Sequence, residues 1–312
     1  MSLTNKILMI RPVSFFYNSE TAINNHYQQK TDLEDFSSVS KKVTSEFDQF
    51  KNILERNGVA ICSFEDISDL ETPDSVFPNN WISTHRDGSI FLYPMFAKNR
   101  RRERRKDIIE YFMRQFQYSR LVDIASLYEN KNEYLEGTGS MVLDRSNKIV
   151  YAALSERTNE NPLSYFCEQI NFELISFTSS QKFNEKEKLI YHTNVMMSIC
   201  ENFVIICLDS IKNEFERMKL LDSFNKTNKQ IIDISYNQVK NFCGNVLELK
   251  NDKNNAILVM STRAYNSFSV KQKNLINNFC KIVHAPLNNI ENYGGGGARC
   301  MIAEIFLETI KY

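Results

Sequence analysis

Residues 294 to 306 read GGGGARCMIAEIF, four consecutive glycines followed shortly by Cys300. A cysteine thiolate is a strong nucleophile, and glycines let backbone N–H groups approach a reacting carbon closely enough to steady a developing oxyanion. The apolar spacing of MIAEIFLETI (301–310) predicts a helix starting beside the thiol, whose positive end would favour the thiolate. The competing reading is an inert buried cysteine. A thiolate nucleophile needs a proton partner, and the chain has four histidines: His26, His85, His192 and His284. His192 stands in YHTNVMMSI, a polar trio leading into a buried-looking apolar run, but composition alone does not choose among the four. A carboxylate to orient the imidazole is available in LEGTGSMVLD, where Glu136 precedes Gly137 and Gly139. There the competing reading is a plain turn.

The elements that would hold these groups follow from length and pattern. The 312 residues are 42% hydrophobic and 24% charged, the balance of a folded globular protein. Thirty-eight basic and thirty-eight acidic residues cancel, so no global field draws the chain to nucleic acid or membrane. Seven cysteines at scattered spacings, without a CxxC pair, give neither a disulfide nor a zinc framework. The apolar run Ile7–Ile10 is too short for a signal peptide, no later run approaches a membrane span, and the expected location is the reducing cytoplasm. The basic stretch KNRRRERRK (Lys98–Lys106) reads as a solvated helix face rather than a nucleic-acid patch.

Helical periodicity appears at Val43–Arg56, Arg100–Phe116, Pro162–Asn171, Ile211–Phe224 and Val270–Phe279. Between these lie strand-length apolar runs: Ile7–Ile10, Val59–Phe64, Ile90–Tyr93, Met141–Leu143, Ile149–Leu154, Phe203–Leu208, Ile231–Ile234, Val246–Leu249, Ile257–Met260 and Ile282–His284. Asp144–Asn147 reads as a hairpin turn, and Asn57-Gly58 as a helix stop. Helices recurring roughly every 50–60 residues with strands between them predict repeated α/β units. No Pro/Gly/Ser-rich linker divides them, so one domain spanning 1–312 is expected.

Six ordered segments then carry a resemblance: PDSVFPNNW (73–81), RRRERR (100–105), LEGTGS (135–140), SERTN (155–159), YHTN (191–194) and GGGGARCM (294–301). Together they resemble the guanidine-modifying superfamily of arginine deiminases, dimethylarginine dimethylaminohydrolases and amidinotransferases, nearest its amidinotransferase-like citrulline hydrolase branch. The resemblance implies a five-bladed α/β propeller of ββαβ units, the pentein fold, with the site in its central channel. It implies Cys300 as nucleophile, His192 as general acid/base and Glu136 as its orienting carboxylate. It also implies that Arg157 pairs with a substrate α-carboxylate, that Arg100 is a second such contact, and that Asp74 touches the substrate.

Two departures bear on the substrate. Relatives acting on guanidinium carry an acid after Val-Phe, where this chain has Asn79 and Asn80, and deiminases have His-x-Asp where it has His192-Thr193-Asn194. Replacing two acids by amides removes the counter-charge of a buried cation and suits a neutral ureido group. The expectation is therefore a hydrolase that converts citrulline, through a carbamoyl-cysteine, to ornithine, carbon dioxide and ammonia without a metal or organic cofactor. The alternatives are a deiminase or amidinotransferase acting on arginine, agmatine or a methylated arginine, and a non-catalytic binding protein of the same fold. The partner in either enzymatic case is a small molecule, and the sequence leaves oligomeric state open.

Overall fold

The computed structural model describes residues 3–30 and 36–306. Strand β1 (Lys6–Arg11) buries its four central residues, as a strand covered on both faces must. The helix Phe36–Arg56 aligns Val39, Val43, Phe47, Phe50 and Leu54 in one buried stripe at helical spacing. It stops at Asn57-Gly58, where Gly58 takes φ +82°, a conformation open to glycine without strain. Strand β2 (Ala60–Glu65) then pairs parallel with β1, Ile7 facing Ile61.

This order recurs. Antiparallel β3 (Ile82–Thr84) and β4 (Ser89–Leu92) lead to the helix Lys106–Gln115 and to β5 (Arg120–Asp123), parallel to β4. Next come β6 (Val142–Asp144), β7 (Ile149–Ala153), the helix Glu160–Ile170 and β8 (Glu173–Phe177). A hairpin of β9 (Ser180–Phe183) and β10 (Lys186–Leu189) follows. Two further units are β11 (Met197–Ile199), β12 (Phe203–Ile206), the helix Glu214–Lys226 and β13 (Gln230–Asp233), then β14 (Leu247–Lys250), β15 (Ala256–Ser261), the helix Val270–Asn277 and β16 (Lys281–Ala285). Finally β17 (Ala303–Glu304) runs antiparallel to β1, Leu8 facing Ala303. The described residues thus form five separate three-stranded sheets of one topology, each an antiparallel pair extended by a parallel strand across a helix. Among the short first strands, β17 lies against β3, β6 against β11, and β11 against β14.

Local chemistry fixes the helix ends. The Asn213 side chain accepts from the amides of Phe215 and Glu216, and Ser269 with Gln272 forms a reciprocal capping box. Asp144 accepts from the Asn147 amide in the predicted β6–β7 hairpin turn.

Three expectations fail. The helix predicted over Arg100–Phe116 begins only at Lys106, after a 3₁₀ turn at Asn99–Glu103. The basic run is not a solvated face either: Arg100 is 2% exposed and forks onto Glu103, while Arg104 pairs with Glu129. Nor does Cys300 open a helix. Ala303 and Glu304 pair with β1, and Met301, Ile302, Ile305 and Phe306 are all buried, so the segment is apolar on both sides and fits a strand between layers. Residues 307–310 of that expected helix lie outside the described residues.

Candidate active site

A short turn precedes the first strand of every unit: Pro78–Asn80, Gly137–Ser140, Thr193–Met196, Gly244-Asn245 and the glycine segment before Cys300. Because the five units share one topology, these turns bring Asn80, Glu136, His192 with Asn194, Asn245 and Cys300 together. Gly139 leaves room there: a Cβ on it would lie 2.3 Å from Asn80 Nδ2 and 2.8 Å from His192 Nδ1, so one of these side chains would have to move. Gly295 takes φ +64° after the π-helical turn Ile290–Gly294, and a Cβ there would strike Asn25. The glycines therefore serve close packing as well as chain reversal.

Cys300, His192, Asp74, Asn80, Arg100 and Arg157 line one small cavity, together with Asn25, Phe77, Tyr191 and Gly294–Gly296. Another hollow lies beside Arg299 and Glu304, but Cys300 and His192 do not line it. His192 Nε2 lies 2.8 Å from Glu136 Oε2. With Nε2–H directed at that carboxylate, the neutral ring leaves Nδ1 as its basic atom. Glu136 Oε1 accepts from the Phe96 amide at 3.0 Å, and Arg157 Nη1 approaches Oε2 at 3.4 Å. Burial alone would raise the Glu136 carboxyl; Arg157 and the His192 hydrogen bond outweigh it and hold the group well below the usual carboxylate range. Burial pushes His192 down to about 4, against the pull of Glu136. Burial likewise pushes the Cys300 thiol up, partly opposed by donors from Asn245 at 3.1 Å and Asn194 at 3.4 Å. Thiol and imidazole therefore both rest neutral beside an ionised Glu136.

The remaining expected residues divide. Arg157 is 1% exposed, and its guanidinium donates to Thr21 O at 2.7 Å and to Asn24 Oδ1 as well as to Glu136. Arg100 forks onto Glu103 and donates to Asn80 Oδ1 at 2.7 Å and to the Phe77 carbonyl at 3.2 Å. Both arginines face the cavity but are engaged by protein acceptors. Asn80 has its carbonyl occupied by Arg100 and a long contact from Nδ2 to Glu136 O at 3.4 Å. Asn79 is fully buried, neither of its amide atoms has a partner, and it is not among the residues lining the cavity. Asp74 Oδ2 accepts from Asn18 at 2.8 Å and Thr21 at 3.0 Å, whereas its Oδ1 has no partner. Burial raises the Asp74 carboxyl, against the opposing charge of Arg100.

The sequence reading missed Asn245 and the covering segment of Asn18, Thr21, Asn24 and Asn25. Asn245 did carry a signal: GNVLEL repeats the Asn-Val step of TNVMMSI at the equivalent place one unit later. The covering segment has no periodicity and left no trace.

The same architecture occurs in solved proteins. ArgZ, an arginine dihydrolase from the ornithine–ammonia cycle in cyanobacteria, superposes with TM-score 0.74 at 15% identity over 98% of this chain and 41% of that one. The chain thus spans less than half of the full-length ArgZ. Unliganded AgrE gives TM-score 0.73 at 16% identity, covering 97% of this chain and 39% of that chain. An S-methyl-L-thiocitrulline adduct of a dimethylarginine dimethylaminohydrolase variant gives 0.61 at 14% identity, covering 97% and 100%. No curated protein sequence matches. Fold and motifs together define the class: a pentein-type α/β protein of the guanidine-modifying superfamily. Within that class, the family model for N,N dimethylarginine dimethylhydrolase, eukaryotic, matches residues 11–307, and the chain belongs to that family.

Proposed function

We propose that this protein hydrolyses a C–N bond of a guanidino group on a small arginine-like molecule, through a covalent intermediate on Cys300. Membership of a guanidine-modifying C–N hydrolase family supports the reaction class. The observation that favours a guanidino group is Asp74 Oδ1, a buried carboxylate oxygen without a partner, lining the same cavity as Cys300. A guanidinium offers only donors and a positive charge, so it satisfies this acceptor and reduces the cost of burying the carboxylate. Of the amides invoked for a neutral substrate, Asn80 has its carbonyl occupied by Arg100 and Asn79 stands outside the cavity lining, whereas Asn194 donates to Cys300 Sγ.

In this proposal the five units close into a ring as one catalytic domain, with the cavity at its centre. The Cys300 proton passes to His192 Nδ1, and the thiolate adds to the guanidino carbon as its C–S bond forms. Asn245 and Asn194 hold the sulfur by their side-chain N–H groups. His192 returns the proton to the departing nitrogen as the C–N bond breaks, then takes a proton from the water that cleaves the thio-intermediate. Glu136 keeps the ring oriented and steadies the transient imidazolium.

A second reading keeps the ureido substrate. The two amide donors aimed at Cys300 Sγ would also suit a carbonyl oxygen at the reacting carbon, as in citrulline. Incubation with arginine, methylated arginines, agmatine and citrulline, followed by amine and ammonia analysis, separates the two. Turnover of a guanidino compound that collapses in Asp74→Asn is expected. Turnover of citrulline alone would overturn the guanidino assignment and restore the ureido one.

A further inference from the structure

The hairpin turn after β3 and the turn between β6 and β7 face each other across a surface cavity of about 460 Å³ that shares no lining residue with the one around Cys300. Three cationic side chains line it, Arg86, Arg145 and Lys148, with the buried His85 ring and a single carboxylate, Asp87. Ile170 and Phe172, at the end of the helix Glu160–Ile170, supply an apolar wall. Asp87 is partly committed elsewhere: its Oδ1 accepts from the Ser89 amide at 3.1 Å, and its Oδ2 lies 3.9 Å from Arg120. Arg86 and Lys148 are exposed and, among the described residues, enter no salt bridge. A concave surface with this excess of unneutralised cations favours an anion, and guanidinium beside ammonium suits phosphate or carboxylate oxygens.

We propose that this cavity binds a small organic polyanion, carrying phosphate or carboxylate groups beside a flat or apolar portion that rests on Phe172 and Ile170. Arg145 gives the site a route to the nucleophile. Its guanidinium lies 3.3 Å from His85 Nδ1, over the Phe306 ring, and 3.8 Å from Glu304 Oε1. Glu304 Oε2 pairs with Arg299 at 2.8 Å, the Arg299 amide donates to Asn245 Oδ1 at 3.1 Å, and Asn245 donates to Cys300 Sγ at 3.1 Å. An anion that draws Arg145 off Glu304 leaves that carboxylate to Arg299 alone and weakens the positive field at the thiol. Binding at this cavity therefore slows thiolate formation at Cys300.

Calorimetric titration of the full chain with pyrophosphate, citrate and ATP tests the site. Saturable binding by at least one of them is expected, weakened about tenfold or more in the Arg86→Glu, Lys148→Glu double variant. Both residues are exposed, and an unchanged thermal midpoint confirms that the variant folds. No saturable binding by any of the three, or equal affinity in the double variant, overturns the site. The coupling is read separately, as the rate of Cys300 alkylation at fixed pH with and without the bound anion. A slowing of about twofold or more, absent in the double variant, is expected. Saturable binding with an unchanged alkylation rate overturns the coupling.

Discussion

Replacing Asn245 by Ala tests the proposed site more sharply than replacing Cys300, because it leaves the thiol in place and removes its shorter amide contact. Asn245 Nδ2 donates to Cys300 Sγ and to Asn194 O, both at 3.1 Å, and its Oδ1 accepts from the Arg299 amide. A hydrogen bond to a charged sulfur contributes about 1.5–3 kcal/mol, against about half that for the neutral thiol. The difference falls on ionisation, where 1.36 kcal/mol is one pKa unit. Asn245→Ala should therefore move the Cys300 alkylation midpoint upward by about one unit, and lower kcat/KM by roughly 10- to 100-fold. Asn245→Asp should move it further, since an anion then faces the sulfur while the Arg299 contact survives. The assay is iodoacetamide labelling against pH, read at the Cys300 peptide by mass spectrometry so that the other six cysteines do not contribute. A midpoint that stays in place with unchanged kcat/KM would refute the assignment of Asn245 to the nucleophile.

Cys300→Ser should abolish turnover without altering the circular dichroism spectrum, and appreciable residual activity would remove the covalent route. Arg157→Lys should lower kcat alike for substrates with and without an α-carboxylate, since its guanidinium is spent on Glu136, Thr21 and Asn24; a loss confined to carboxylate-bearing substrates would return it to the role the sequence suggested. Acid should weaken the fold in a defined window. The folded His192 value of about 4 lies below the ordinary 6.5, so the unfolded chain takes up that proton first and stability falls as pH drops between them, by about 3 kcal/mol. Urea midpoints at pH 7 and 4.5 should separate more in the native protein than in His192→Gln, and parallel curves would contradict a buried neutral imidazole.

The regular parts of the fold were legible because burial imposes period. Ile257–Met260 and Phe203–Leu208 are continuous apolar runs, and both became central strands within a residue or two of the expected ends. The first strands were harder. Ile82–Thr84 and Ala303–Glu304 are two or three residues long, too short for any periodicity to register. The same shortness misled the reading of residues 301–310, where helical spacing over ten residues counted for less than one pairing with β1. Of the proposed site residues, Cys300, His192 and Glu136 were picked out by their motifs, and the structure brings Glu136 and His192 into contact. The expectations for Arg157 and Arg100 did not foresee that protein acceptors would occupy them. For Arg157 two of the acceptors, Thr21 and Asn24, stand 136 and 133 positions away, and no local pattern encodes that.

The pairing of β1 with β17 has a consequence for timing. Ile7 finds Glu304, and Leu8 finds Ala303, across nearly the whole length of the chain. Chains emerge from synthesis N-terminal end first, and domains assemble as their parts become available. The fifth sheet cannot gain its first strand until residue 304 has been made, and Cys300 is delivered by that same segment. A nascent chain therefore carries Glu136 and His192 long before it carries a positioned thiol. Cys300 arrives last, with the segment that pairs β17 to β1, and the cavity it shares with His192 can form only once the two far ends of the described chain have met.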